Sequence, residues 1–211
     1  ANAEGSMLRP QVASRPSTLL IGHQTFHPFT HKPSYQKLAS LPLAERMREL
    51  RKPEARARIL AEESQTDPRL AVVFDLLLRG LHKIFRLGDP PDYEPAPEES
   101  VLAKARQLGR DPFDLLYDWM LELDGRQLLM LTLLNYSEGS LEAVRAMLEH
   151  PHSAFGLGDG GAHCGAICDA SMTSTLLTHW ARDRARGPRL PLSKVVRKMT
   201  RDTAELYGLG D

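Results

Sequence analysis

The stretch Ser153-Ala154-Phe155-Gly156-Leu157-Gly158-Asp159-Gly160-Gly161-Ala162-His163 decides how this chain is read. A short apolar run ends in glycines around one carboxylate, and a histidine follows four residues later. Glycine reaches backbone angles closed to other residues, so the chain can turn sharply here and let a ligand or metal approach its backbone. Upstream, Ser140 opens a helical pattern that runs to Glu149, with Leu141, Val144 and Leu148 on one face; downstream, 171–186 is again helical. Helix, strand, glycine turn, helix is the order of a βα unit in a parallel sheet or barrel. In such folds the loops leaving the carboxyl ends of the strands build the active site.

Asp159 sits in such a loop. A carboxylate there can ligate a divalent metal and take a proton from an activated water; the competing role is a turn aspartate that accepts from nearby backbone amides. His163 is placed to donate to a reacting oxygen or to touch substrate, and Gly160 is assigned with it to substrate contact. The residues from Gly156 to Gly161 also satisfy G-x-G-x-x-G. The rival reading is therefore a non-catalytic α/β module binding a phosphate or nucleotide at that turn. Against it, Asp159 would bring negative charge to a pyrophosphate, and the downstream acid, near Asp183, falls in a helix instead of at a strand end.

Three further sets have metal-like spacing. His23, His27 and His31 lie four apart, but Pro28 and Pro33 argue against a regular helix, so the stretch reads as a packing loop with Phe26 and Phe29. His150-Pro151-His152 precedes the strand and falls at the wrong end of the sheet. His163, Cys164 and Cys168 lack a fourth partner at a recognisable spacing.

The chain of 211 residues carries 27 basic and 27 acidic side chains, so no global field points to nucleic acid or an anionic membrane surface. No apolar run reaches the ~18 residues that span a bilayer. Two cysteines four apart make no disulfide framework, which suggests a reducing, cytoplasmic setting. Residues 8–22 read as short extended segments broken by Pro10 and Pro16. Helices are expected over 43–50, 53–63, 68–79, 98–108, 112–123 (Asp111 as N-cap), 193–199 and 200–206, with strands over 82–87 and 127–134 and a proline-rich loop over 88–97.

Gly156 to His163, followed by Ile167-Cys168-Asp169-Ala170-Ser171, resembles the amidohydrolase superfamily, and more narrowly the N-acyl-D-amino-acid deacylases or D-aminoacylases. The resemblance extends to His27-Pro28-Phe29, Leu41 to Arg46, Asn135-Tyr136, Leu176 to Trp180 and Arg201 to Leu209, nearly the whole chain. It implies an α/β fold: the C-terminal part of a metal-dependent hydrolase (β/α)₈ TIM barrel. Residues 1–39 would hold a late barrel strand and loop, 40–150 a largely helical insertion, and 151–211 the last strand and closing helices. It also implies zinc as cofactor, a small-molecule amide as substrate, and Asp159 as metal ligand and base. The other ligands would lie on earlier strands, in an N-terminal barrel half outside this sequence. The family's arginine soon after the acid has no counterpart within 160–172. On this reading residues 1–211 alone neither hydrolyse amides nor bind zinc stoichiometrically, an expectation that metal analysis and an amidase assay on the isolated chain check directly.

Overall fold

Two strands can lie parallel only if the chain between them crosses from one end of the sheet back to the other. The computed structural model shows such a pair at the site: β1 (Gln11–Ala13) runs parallel to β5 (Ala154–Gly156), with Gln11 opposite Ala154, Val12 opposite Phe155 and Ala13 opposite Gly156. The structure describes residues 5, 8–65, 69, 71–156, 158 and 170–209. The chain divides into two units, Ala1–Ser17 with Leu133–Asp211, and Thr18–Thr132.

In the first unit β1 and β5 approach so closely that a Cβ on Gly156 would lie 2.6 Å from Gln11 Cβ. Glycine is required there by packing. α7 (Glu142–Glu149) leads into β5 and buries Val144 and Leu148. It is preceded by Leu141, fully buried, which takes the cap position expected of Ser140. Burying the leucine fixes where the helix begins, one residue later than the hydroxyl suggested. Lys198, on α9 (Leu192–Met199), is 6% exposed and donates to the carbonyls of His150 (2.9 Å) and Ser153 (2.8 Å) just past α7. A cation at a helix C-terminus satisfies carbonyls that the helix itself cannot. The helix expected over 171–186 is shorter and changes pitch. α8 (Met172–Thr175) passes into π-helical turns over Leu176–Asp183, whose Trp180 is completely buried. α10 (Arg201–Leu206) closes the unit.

In the second unit β2 (Ser17–Ile21), β4 (Leu129–Leu134) and β3 (Ile84–Arg86) form a sheet in the order β2-β4-β3, with β3 antiparallel to β4. Pro33, read from sequence as a helix breaker, instead starts α1 (Pro33–Ala39), because proline's fixed φ and missing N–H suit a first helical turn. α2 (Leu43–Leu50) has the bounds its apolar spacing predicts, with Met47 and Leu50 buried. α3 (Pro53–Ala61) starts as expected and ends two residues early; α4 spans Ala71–Arg79. α5 (Val101–Leu108) begins at Ser100, whose Oγ accepts from the Ala103 amide, and stops at Gly109 in the left-handed region. α6 (Pro112–Gly125) is capped by Asp111, which accepts from the amides of Phe113 and Asp114 (2.9 and 3.0 Å). It buries Leu116, Tyr117 and Met120, and the Tyr117 hydroxyl donates to the Leu50 carbonyl (2.8 Å). Arg56 and Arg110 each bridge Asp114 and Asp118, a four-charge lattice between α3 and α6.

Gly156→Ala should destabilise the protein by about 1–3 kcal/mol in urea unfolding, as overpacking generally does. Adding Gln11→Gly, which removes the opposing Cβ, should recover part of that loss. If the double variant is no more stable than Gly156→Ala alone, the close approach of β1 and β5 is not the reason for the glycine.

Candidate active site

Parallel pairing places the carboxyl ends of β1 and β5 on the same side of their sheet, the side where parallel α/β folds carry their chemistry. Beyond β5 the described residues stop at Gly156, resume at Gly158 alone, and continue from Ala170. Asp159, Gly160 and His163 therefore lie outside the described residues, as do Cys164 and Cys168.

The exit of β1 is well defined. Ser14 Oγ donates to the Met172 carbonyl (2.5 Å), and the Trp180 indole N–H donates to the Ser14 carbonyl (2.6 Å). Arg15, 1% exposed, donates from Nε to Ser171 Oγ (3.0 Å) and from Nη1 to the Pro16 carbonyl (2.9 Å). Ser171, at the N-terminus of α8, makes no side-chain capping bond there. Sequence reasoning passed over Arg15. The signal available was an arginine between a short apolar strand and a proline, at the end of the sheet where chemistry was expected.

At the opposite end of β5, His150 and His152 are engaged in local structure. His152 Nδ1 lies 2.7 Å from Arg9 Nη1, and the His152 amide donates to His150 Nδ1 (3.1 Å). Their H-x-H spacing serves the entry into the strand. Gly156, first glycine of the G-x-G-x-x-G pattern, has its requirement met by strand packing against Gln11.

The second unit holds the other histidine set. His23 and His27 are buried, with ring centroids 5.4 Å apart and edge to face, and Tyr35 packs on both. His23 Nδ1 lies 3.1 Å from the Tyr35 hydroxyl, and Arg46 Nη1 donates to the His23 carbonyl (2.8 Å). The Phe29 amide donates to His27 Nδ1 (3.2 Å). His31 stands apart, against Phe26 and Phe74. Burial first, and then the Arg46 guanidinium, pushes His23 down to about 4; burial, with the neighbouring charges of His23, Arg46 and His31, holds His27 well below the usual imidazole range. Both rings are neutral core groups. Among the described residues no group of three or more His, Cys, Asp or Glu side chains could hold a metal ion. A cavity of about 870 Å³ in this unit has an apolar floor that includes Phe29, Leu60 and Phe113. On its rim Glu62 is held by Ser34 and Asp111 by the start of α6.

Compared with family models, residues 7–211 match the amidohydrolase family. The chain belongs to that family. As an amidohydrolase it is a hydrolase of a group that generally uses metal ions, and its mixed helices and small sheets fit such a domain. Neither a comparison with curated proteins nor one with solved structures gives a match. Among the described residues no helix is long and apolar enough to cross a membrane.

The buried imidazoles give this amidohydrolase a pH dependence of known sign. Their folded pKa values lie below the unfolded value of 6.5, so the stability they confer is present above about pH 6.5 and is lost as pH falls towards about 4. From pH 7 to pH 5 His23 alone should cost about 2 kcal/mol by proton linkage. Urea midpoints at the two pH values check this, and the difference should shrink in His23→Gln and in His27→Gln. Unchanged slopes in both variants would contradict neutral burial.

Proposed function

We propose that this amidohydrolase cleaves a carbon–nitrogen bond in an N-acyl amino acid or a related small amide, in the manner of the N-acyl-D-amino-acid deacylases. The observation that carries this is the family match across residues 7–211. Supporting it, Asp159 follows β5 by three residues, where a parallel strand delivers its loop to the reactive end of the sheet.

The chemistry needs a base, an oriented water and a proton donor for the leaving amine. Asp159 takes the proton as the water oxygen bonds to the amide carbon. It then returns that proton to the nitrogen as the C–N bond breaks, releasing a carboxylic acid and an amine. His163 and the backbone at Gly160 contact the substrate. Zinc is the metal we propose, with Asp159 as a donor from this chain. Among the described residues there is no donor cluster of three or more His, Cys, Asp or Glu side chains, and Asp159 lies outside them.

The proposal includes a barrel. The parallel sheet has two strands among the described residues, and parallel sheets are ordinarily wider layers covered by helices. Further parallel strands, contributed by a preceding barrel half, are the partner we propose. Residues 40–150 then form a mainly helical insertion, and the protein works in the reducing cytoplasm.

Amine release from a panel of N-acetyl D- and L-amino acids tests this in the protein that contains residues 1–211 together with its barrel partner. Hydrolysis should stop on chelation, resume with zinc, and fall by about 10²–10⁴-fold in Asp159→Asn, the usual contribution of a positioned base. An Asp159→Asn variant that keeps the full rate would overturn the assignment.

A further inference from the structure

We propose that the cavity in the 18–132 unit binds a small amphipathic carboxylate, with its acid group on Lys32 and its apolar body over Phe29, Leu60 and Phe113. The inference is independent of the hydrolase reading, and every residue it uses is described.

At about 870 Å³ the cavity has the size of a small-molecule site. Four parts of one unit wall it: the chain at 28–32, the end of α3 with the residues that follow, Leu78 of α4, and the start of α6. Phe29, at 1% exposure, belongs to the core and makes a firm floor. Leu78 is 43% exposed, apolar surface that a ligand would take out of water.

Charge decides what kind of ligand fits. Among the described residues Glu62, Glu63, Asp111 and Asp114 line the cavity with one ammonium, that of Lys32. Three of the carboxylates are committed to their own elements. Glu62 accepts from the Ser34 amide (2.8 Å) and hydroxyl, Asp111 accepts from the amides of Phe113 and Asp114, and Asp114 is held by Arg56 and Arg110.

Lys32 is placed differently. Its Nζ donates to the Leu60 carbonyl (3.1 Å), one of the last carbonyls of α3, and stands 5.6 Å from the centre of the Phe29 ring on the cavity floor. That bond uses one of its three N–H donors. Among the described residues no carboxylate pairs with it. Burial pushes its pKa below the usual lysine range, against a longer-range pull from Glu62. A partly desolvated ammonium gains most from an anion brought to it, and a carboxylate would take up the donors left over. The acidic rim sets the upper limit on the ligand's charge: a single negative charge is drawn to Lys32, whereas a phosphate dianion is repelled by Glu62, Glu63 and Asp111.

The test titrates the protein that contains residues 1–211 with decanoate, decylammonium and decyl phosphate in a calorimeter. Decanoate should fill one site with a Kd of about 10–100 μM, a reachable affinity for a ligand of its size. It should bind about tenfold or more tightly than either of the other two. Lys32→Met should weaken decanoate by about tenfold or more, because it removes the only cation lining the cavity among the described residues. Leu78→Glu, at an exposed position, should weaken it too, and it decides the matter if Lys32→Met fails to fold. Tighter binding of decylammonium would assign the cavity to cations. Undiminished affinity for decanoate in the variants would place it elsewhere on the protein, and uptake without saturation, or no binding up to about 1 mM, would leave no such site. Each of these results overturns the proposal, and none depends on whether the protein hydrolyses an amide.

Discussion

The parallel pairing of β1 with β5 is the contact on which the site depends. Each strand contributes three residues, too few to be stable by hydrogen bonding alone, so the pair persists only because neighbouring groups hold it. At one end Lys198 gathers the carbonyls of His150 and Ser153 as the chain enters β5. At the other, Ser14, Arg15 and Trp180 bind the exit of β1 to the helix that follows. Between them Gly156 lets the backbones come close. Each of these groups is buried and polar or lacks a side chain, and each has its place because a backbone carbonyl, hydroxyl or Cβ opposes it.

The elements legible in the sequence were those whose signals are local. Leu43, Met47 and Leu50 repeat at helical spacing, and α2 has the bounds they predict. Asp111 with Pro112 announces a helix start that depends only on the next three residues. Pro16 separates β1 from β2 as expected, yet nothing local says that the two strands join different sheets. Signals that depend on distant partners were misread or missed. Pro33 broke the histidine stretch as predicted and also opened α1. Ser140 looked like a cap, but the burial of Leu141 decided the start of α7.

The candidate site divides in the same way. Asp159 stood out because glycines flank it and a strand precedes it, both visible in the sequence. Arg15 did not stand out, because its burial and its bond to Ser171 depend on a part of the chain 156 residues away. His23, His27 and His31 were read as a packing loop in spite of their spacing, and their rings are packed. Pro28 and Pro33 spoke against a shared ligand face, and two of the rings are neutral core groups against Tyr35 while the third lies with phenylalanines. Spacing predicts a metal site only where the backbone is regular enough to turn it into direction.

The neighbouring position of β2 and β4 in their sheet has a kinetic meaning. β1 and β5 lie at residues 11–13 and 154–156, so bringing them together from an extended chain closes a loop of about two thirds of the sequence. Residues 17–21 and 129–134, however, are adjacent strands. Once 18–132 has folded around its own core, that adjacency short-circuits most of the loop and lowers the entropic cost of closing it by about 1.5 kcal/mol. Closing the β1–β5 pair therefore costs less once 18–132 has folded than it does on an extended chain.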